Sequence, residues 1–154
     1  MFTKLLFLAP ALIDCGRRLV RVLCQHPEFT NVIVWVGGNY TQQFSRDYAI
    51  SDIQGLLSAL SKLFPNARVA WTLTLPQFAH GRPVLAGIRH VNDAVMNYCW
   101  DNAIDVIYTP EFSLYMNDHS FVRQLFAADG THLNRSGIQI MTSAIREYMF
   151  NLYI

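Results

Sequence analysis

The chain has 154 residues, enough for one domain with a single sizeable core. Hydrophobic residues make up 52% and charged residues 15%, the composition of a folded chain and not of a disordered one. Twelve basic against eleven acidic side chains leave a net charge of +1 and no basic block, so nothing in the charge pattern calls for nucleic acid.

So few charges leave little to cover exposed surface, and self-association or a partner surface is expected. Arg17, Arg18 and Arg21 read as one solvated helix face. Cys15, Cys24 and Cys99 are odd in number without C-x-x-C spacing, which reads as reduced thiols in an intracellular (cytoplasmic) protein. Met1 to Ile13 begins like a secretory signal. Its apolar run is short, holds Pro10 and ends in Asp14-Cys15 where a small-x-small site belongs, so a strand running into a helix is expected. No apolar segment reaches the ~18 residues of a membrane span.

Taken in order, Lys4 to Ala9 reads as a strand, and Ala11 to about Gln25 as a helix with Leu12, Leu19, Val20 and Leu23 on one stripe. Asn31 to Val36 is a near-continuous apolar run stopped by Gly37-Gly38, the pattern of a central parallel strand. Ile50, Ile53, Leu56, Leu57, Leu60, Leu63 and Phe64 then recur at helical steps until Pro65-Asn66. Arg68 to Leu75 is the next strand, ended by Pro76. Val84 or Leu85, Ile88, Val91, Val95 and Tyr98 mark a further helix. Ile104 to Tyr108 is a short strand capped by Thr109-Pro110, and Ile138, Met141, Ile145, Met149 and Leu152 form the face of the last helix.

This order, β-α-β-α-β-α-β-loop-α, predicts an α/β fold: a three-layer α/β/α sandwich with a mostly parallel sheet, spanning residues 1–154 as one domain. Such sheets bind ligands at the carboxyl ends of their strands. The Gly37–Tyr40 loop, Leu75-Pro76 and Thr109-Pro110 all lie at such ends, and the Asp129–His132 loop leads into the last helix over the same rim.

His132 is the candidate general base, with Asp129 reaching back across the turn at Gly130 to orient it. The alternative, equally weighted by spacing, is that Asp129 caps a local turn and His132 merely packs. Asn39 can offer its side-chain amide to a developing oxyanion, each such donor contributing roughly 10²–10³ in rate. An ordinary strand-ending turn is the competing reading there. His80, in the Gln77–Pro83 loop, is a possible cleft-lining residue, while His26, His90 and His119 read as surface or helix-end residues. No Cys/His cluster argues for a metal, and Gly37-Gly38 lacks the rest of a phosphate-binding loop. Asn39-Tyr40-Thr41 and Asn134-Arg135-Ser136 match the glycosylation sequon.

The chain resembles the SGNH (GDSL-type) hydrolases, whose blocks include G-x-N-D and D-x-x-H at strand carboxyl edges. Gly37-Gly38-Asn39-Tyr40 matches the first except that Tyr40 replaces its Asp. Asp129-Gly130-Thr131-His132 matches the second in full. The run through Leu133-Asn134-Arg135-Ser136-Gly137 is similar to the esterase domains of animal retrotransposon proteins. The resemblance spans essentially the whole chain, from the second family strand onward. It implies a flavodoxin-like SGNH fold and cofactor-free hydrolysis of an acyl ester or lipid by Ser-His-Asp chemistry. In that reading Asp129 and His132 are catalytic, Asn39 and Gly37 belong to the oxyanion loop, and Tyr40, His80 and Ser45 border the cleft.

The departures from the family pattern matter. No G-D-S occurs in the sequence, and Leu8-Ala9-Pro10-Ala11 falls where the family carries an oxyanion glycine, with no N–H on Pro10. The first βα unit is thus expected to be missing, which leaves apolar surface or an unpaired sheet edge. Ser45, Ser113 and Ser120 are the hydroxyls nearest by topology, each more readily a turn or cap residue. Weak or absent hydrolysis is the consequence, with a non-catalytic binding or assembly module, or a truncated gene product, as alternatives.

Overall fold

Four short strands pair side by side in the computed structural model, which describes residues 5–8, 29–35, 45–113 and 119–151. They are β1 (Leu5–Leu8), β2 (Asn31–Val34), β3 (Arg68–Thr72) and β4 (Asp105–Ile107), in the order β1-β2-β3-β4. Every pairing is parallel, with Leu8 beside Val34, Val34 beside Trp71 and Thr72 beside Ile107.

The side chains of β2 and β3 alternate between two cores, as the pleat requires. Val32, Val34, Val69 and Trp71 enter one apolar cluster, while Ile33 and Ala70 join Ile107 in another. Both faces of the sheet are therefore covered, and the continuous apolar run of β2 is explained.

Helices α1 (Arg46–Leu63) and α2 (Gly81–Asp101) cover the first face. The α1 stripe is seated as its spacing requires: Ile53, Leu57, Leu60 and Phe64 are buried, with Ile50, Leu56 and Leu63 packed beside them. The other face is covered by the last helix, through Ala144, Ile145, Tyr148 and Met149. Two short helices, α3 (Pro110–Ser113) and α4 (His119–Arg123), lie between β4 and that helix, α5 (Arg135–Asn151). No helix among the described residues is long and apolar enough to cross a membrane.

Among the described strands β1 bonds directly to β2, and the outer sides of β1 and β4 are the edges. Two expectations need correcting. First, β3 ends at Thr72, short of Leu75. Its neighbour β4 has only three residues, so the ladder stops, and the buried Asn92 of α2 takes over. Asn92 accepts the Thr74 N–H through Oδ1 at 2.8 Å and donates Nδ2 to the Thr74 carbonyl at 2.9 Å, as a neighbouring strand would. Second, α5 begins at Arg135, and Ile138 is 54% exposed instead of facing the core. Gly137 takes the inward position, and a Cβ there would run into the Leu125 carbonyl oxygen. One residue on, Ile138 is turned about 100° away. The expected helix Ala11–Gln25 lies outside the described residues, as do Val36 and Leu152.

Candidate active site

After α4 the chain makes tight turns and doubles back on itself. Phe126 and Leu133 form an isolated antiparallel bridge, and the Ala127 N–H donates to the His132 carbonyl at 2.8 Å. Between these ends lies the loop that carries Asp129. It closes by the Gly130 N–H donating to the Ala127 carbonyl at 3.0 Å. Gly130 has φ +70°, and a Cβ there would sit 3.0 Å from the Ala79 nitrogen, so the turn takes glycine for both conformation and space. Its carbonyl accepts the Phe78 N–H at 2.9 Å, which ties the loop to the segment following β3, at the carboxyl end of the sheet.

The carboxylate of Asp129 divides its work between its two oxygens. Oδ1 accepts the N–H groups of Thr131 at 2.9 Å and His132 at 3.0 Å, while Oδ2 lies 2.6 Å from His132 Nδ1. One carboxylate thus both caps the turn and meets the imidazole. The hydrogen bond from His132, followed by those from the two backbone N–H groups, holds the Asp129 carboxyl far below the usual carboxylate range. A contact this short is that of a charge-assisted hydrogen bond. The His132 side chain is 79% exposed, and among the described residues no hydroxyl bonds to it.

Asn134 fixes the entry into α5. Its Oδ1 caps that helix by accepting the N–H groups of Ser136 at 3.0 Å and Gly137 at 3.1 Å. Its Nδ2 donates to the carbonyls of Gln124 at 2.6 Å and Phe126 at 3.2 Å. The sequon nitrogen at this position is therefore engaged inside the fold. Beneath the loop, Phe126 stacks edge-on against Phe78 at 5.2 Å and Phe112 at 6.0 Å. Leu75, Leu85, Ile88 and Met141 complete that cluster.

Of the other sequence candidates, Ser45 is the N-cap of α1, its hydroxyl accepting the Tyr48 N–H at 3.3 Å. His80 is exposed at the end of the 3-10 turn Phe78–His80, the turn bonded to Gly130 through Phe78. Gly37, Asn39 and Tyr40 lie outside the described residues, as do the side chains of Ser113 and Ser120. Trp35, one residue beyond β2, packs into the same cluster as Phe78 and Leu133. Asn92, Asn134 and Arg123 are structural determinants of the site that sequence reasoning missed. Asn134 carried a readable signal, a capping residue directly before an apolar-periodic helix.

Among the described residues no group of three or more His, Cys, Asp or Glu side chains is placed to hold a metal ion. A hollow of about 270 Å³ opens at the other end of the strands, beside Arg68 and Asp105. There Arg68 pairs with Asp105 at 2.9 Å, and the Tyr148 hydroxyl donates to the same carboxylate at 2.7 Å.

No protein-family model matches the chain, and no curated protein sequence does. Solved structures do. A putative acylhydrolase from Bacteroides fragilis superposes with TM-score 0.70 at 14% identity, over 96% of this chain and 86% of that one. A GDSL-like lipase from Bacteroides thetaiotaomicron gives TM-score 0.67 at 16% identity, over 96% and 88%. A member of the lipolytic protein G-D-S-L family from Veillonella parvula gives 0.63 at 18% identity, covering 76% of this chain and 61% of that chain. The chain has the α/β fold of the SGNH (GDSL-type) proteins.

Proposed function

We propose that the chain is an SGNH-type acyl-ester hydrolase domain in which Asp129 orients His132 and His132 is the general base. The observation that carries this reading is the 2.6 Å contact between Asp129 Oδ2 and His132 Nδ1, within a loop anchored at the carboxyl end of the sheet.

In this reading Nδ1 keeps its proton and donates a hydrogen bond to the carboxylate, so that Nε2 presents a lone pair. Nε2 withdraws the proton of an attacking hydroxyl as its oxygen bonds to the acyl carbon. The resulting imidazolium, stabilised by Asp129, returns the proton to the departing alkoxide. Asn39 and the Gly37 backbone offer the oxyanion donors, with Tyr40 where the family has Asp. The reaction requires no cofactor, and the ligand class is an acyl ester or lipid. With no G-D-S in the sequence, turnover by this chain is weak. The helix-capping role of the Ser45 hydroxyl argues against it as the nucleophile. An intracellular setting fits the cysteine pattern.

The test is hydrolysis of nitrophenyl acetate by wild type, His132→Ala and, as a control on α2, the exposed His90→Ala. A slow rate that vanishes in His132→Ala and persists in His90→Ala is expected. Equal rates for wild type and His132→Ala would remove the proposal.

A further inference from the structure

The three residues immediately before Asp129 turn their carbonyls toward one side chain. Arg123, the last residue of α4, donates Nη1 to the Ala127 carbonyl at 2.8 Å and the Phe126 carbonyl at 3.4 Å, and Nη2 to the Ala128 carbonyl at 2.9 Å. Its own carbonyl accepts the Phe126 N–H at 3.2 Å, so both ends of the residue grip the same segment. Successive carbonyl oxygens gathered on one side repel one another, and a cation among them offsets that repulsion. The planar guanidinium, with five donors in a fixed fork, can span such a set where an ammonium cannot.

These contacts bear on the peptide planes of the loop. In a trans peptide the N–H points opposite its own carbonyl. The Phe126 carbonyl, shared by Arg123 and Asn134 Nδ2, turns the Ala127 N–H the other way, where it meets the His132 carbonyl at 2.8 Å. Fixing the Ala128 carbonyl likewise fixes the peptide plane from which Asp129 departs. The Ala127 carbonyl is shared between Arg123 and the Gly130 N–H. Ala127 is the point where the guanidinium, the turn and the histidine backbone meet.

We propose that Arg123 is a positioning residue for the Asp129–His132 pair, setting the peptide planes that aim the carboxylate at the imidazole. This rests on the reading of that pair as acid–base machinery. Arg123 touches no reacting atom; it acts through the backbone of residues 126–128.

The experiment reads the pair directly and does not depend on turnover. The carboxyl carbon of Asp129 is titrated by NMR in wild type and in Arg123→Met, with thermal unfolding run alongside. In wild type the carboxyl is expected to stay ionised well below the ordinary carboxylate range. In Arg123→Met its midpoint should rise toward the ordinary value by about one pH unit or more. Should Arg123→Met not fold, Arg123→Lys is read the same way, since one ammonium cannot hold three carbonyls. A wild-type midpoint in whichever variant folds overturns the proposal. So does an Arg123 guanidinium whose Nη protons exchange places rapidly in wild type, because a clamped fork must give separate signals. A protein that fails to hydrolyse esters, yet shows the Arg123-dependent shift at Asp129, would refute the hydrolase reading and leave the positioning role standing.

Discussion

Asp129 holds His132 by both its ring and its backbone: Oδ2 lies 2.6 Å from Nδ1, and Oδ1 accepts the main-chain N–H of the same residue at 3.0 Å. The ring is thus tied to the loop that presents it, although the side chain is largely exposed. Asp129→Asn separates the two functions. The amide oxygen can still cap the turn, but the amide nitrogen now donates toward the imidazole and favours the opposite tautomer. Nitrophenyl acetate hydrolysis should fall from its slow wild-type rate to the level of His132→Ala. A variant that keeps the wild-type rate would contradict this role.

The same carboxylate gives a pH dependence with a definite sign. Its folded value is depressed, so its contribution is fully present above the ordinary value of 3.8 and is lost as pH falls below it toward the folded value. Urea unfolding of wild type and Asp129→Asn across that range should show the stability gap between them narrowing on acidification. A gap that widens would contradict the hydrogen-bond assignment.

Two glycines rank in a predictable order. Gly130→Ala must adopt φ +70° and meet the Ala79 nitrogen at 3.0 Å, at a cost of about 1–2 kcal/mol. Gly137→Ala drives a methyl into the Leu125 carbonyl oxygen and to 2.9 Å from Leu133 Cδ2, with less room to yield. Chemical denaturation should show Gly137→Ala as the more destabilised variant. The reverse order would mean that α5 sits less tightly against Leu125 than these distances require.

Asn92→Ala removes two hydrogen bonds to the buried backbone of Thr74. Losing them should cost about 1–3 kcal/mol. It also loosens the segment from which Phe78 reaches Gly130. Urea midpoints would measure it, and an unchanged midpoint would contradict it.

Burial pushes the Cys99 thiol up from 9.0 to about 12. The unfolded thiol ionises first as pH rises, so native stability should decline between those values. Alkylation at pH 8, located by mass spectrometry, should spare Cys99 in the native protein and modify it after denaturation. Rapid native labelling of Cys99 would contradict its burial.

Much of the architecture was legible because parallel strands and amphipathic helices leave periodic traces. The unbroken apolar run at Asn31–Val34 announced a strand with two covered faces, and the α1 stripe announced its buried side. What periodicity could not report was where ladders stop. Leu73 and Leu75 are as buried as strand residues, yet among the described residues no neighbouring strand extends far enough to pair with them. Ile138 looked like core because the pattern cannot reveal that Gly137 has claimed the contact.

Within the site, the D-x-x-H spacing placed Asp129 near His132, though it did not show that one carboxylate bonds both the turn's N–H groups and the ring. Arg123 left no trace at all, since bonds to backbone carbonyls do not depend on which side chains those residues carry.

The most direct measurement is the tautomer of His132 read by nitrogen NMR in the neutral ring. Nδ1 is expected to carry the proton, donated to Asp129, with Nε2 the bare, basic nitrogen. A ring protonated at Nε2, or one divided evenly between the two forms, would show that Asp129 does not hold the imidazole as a base.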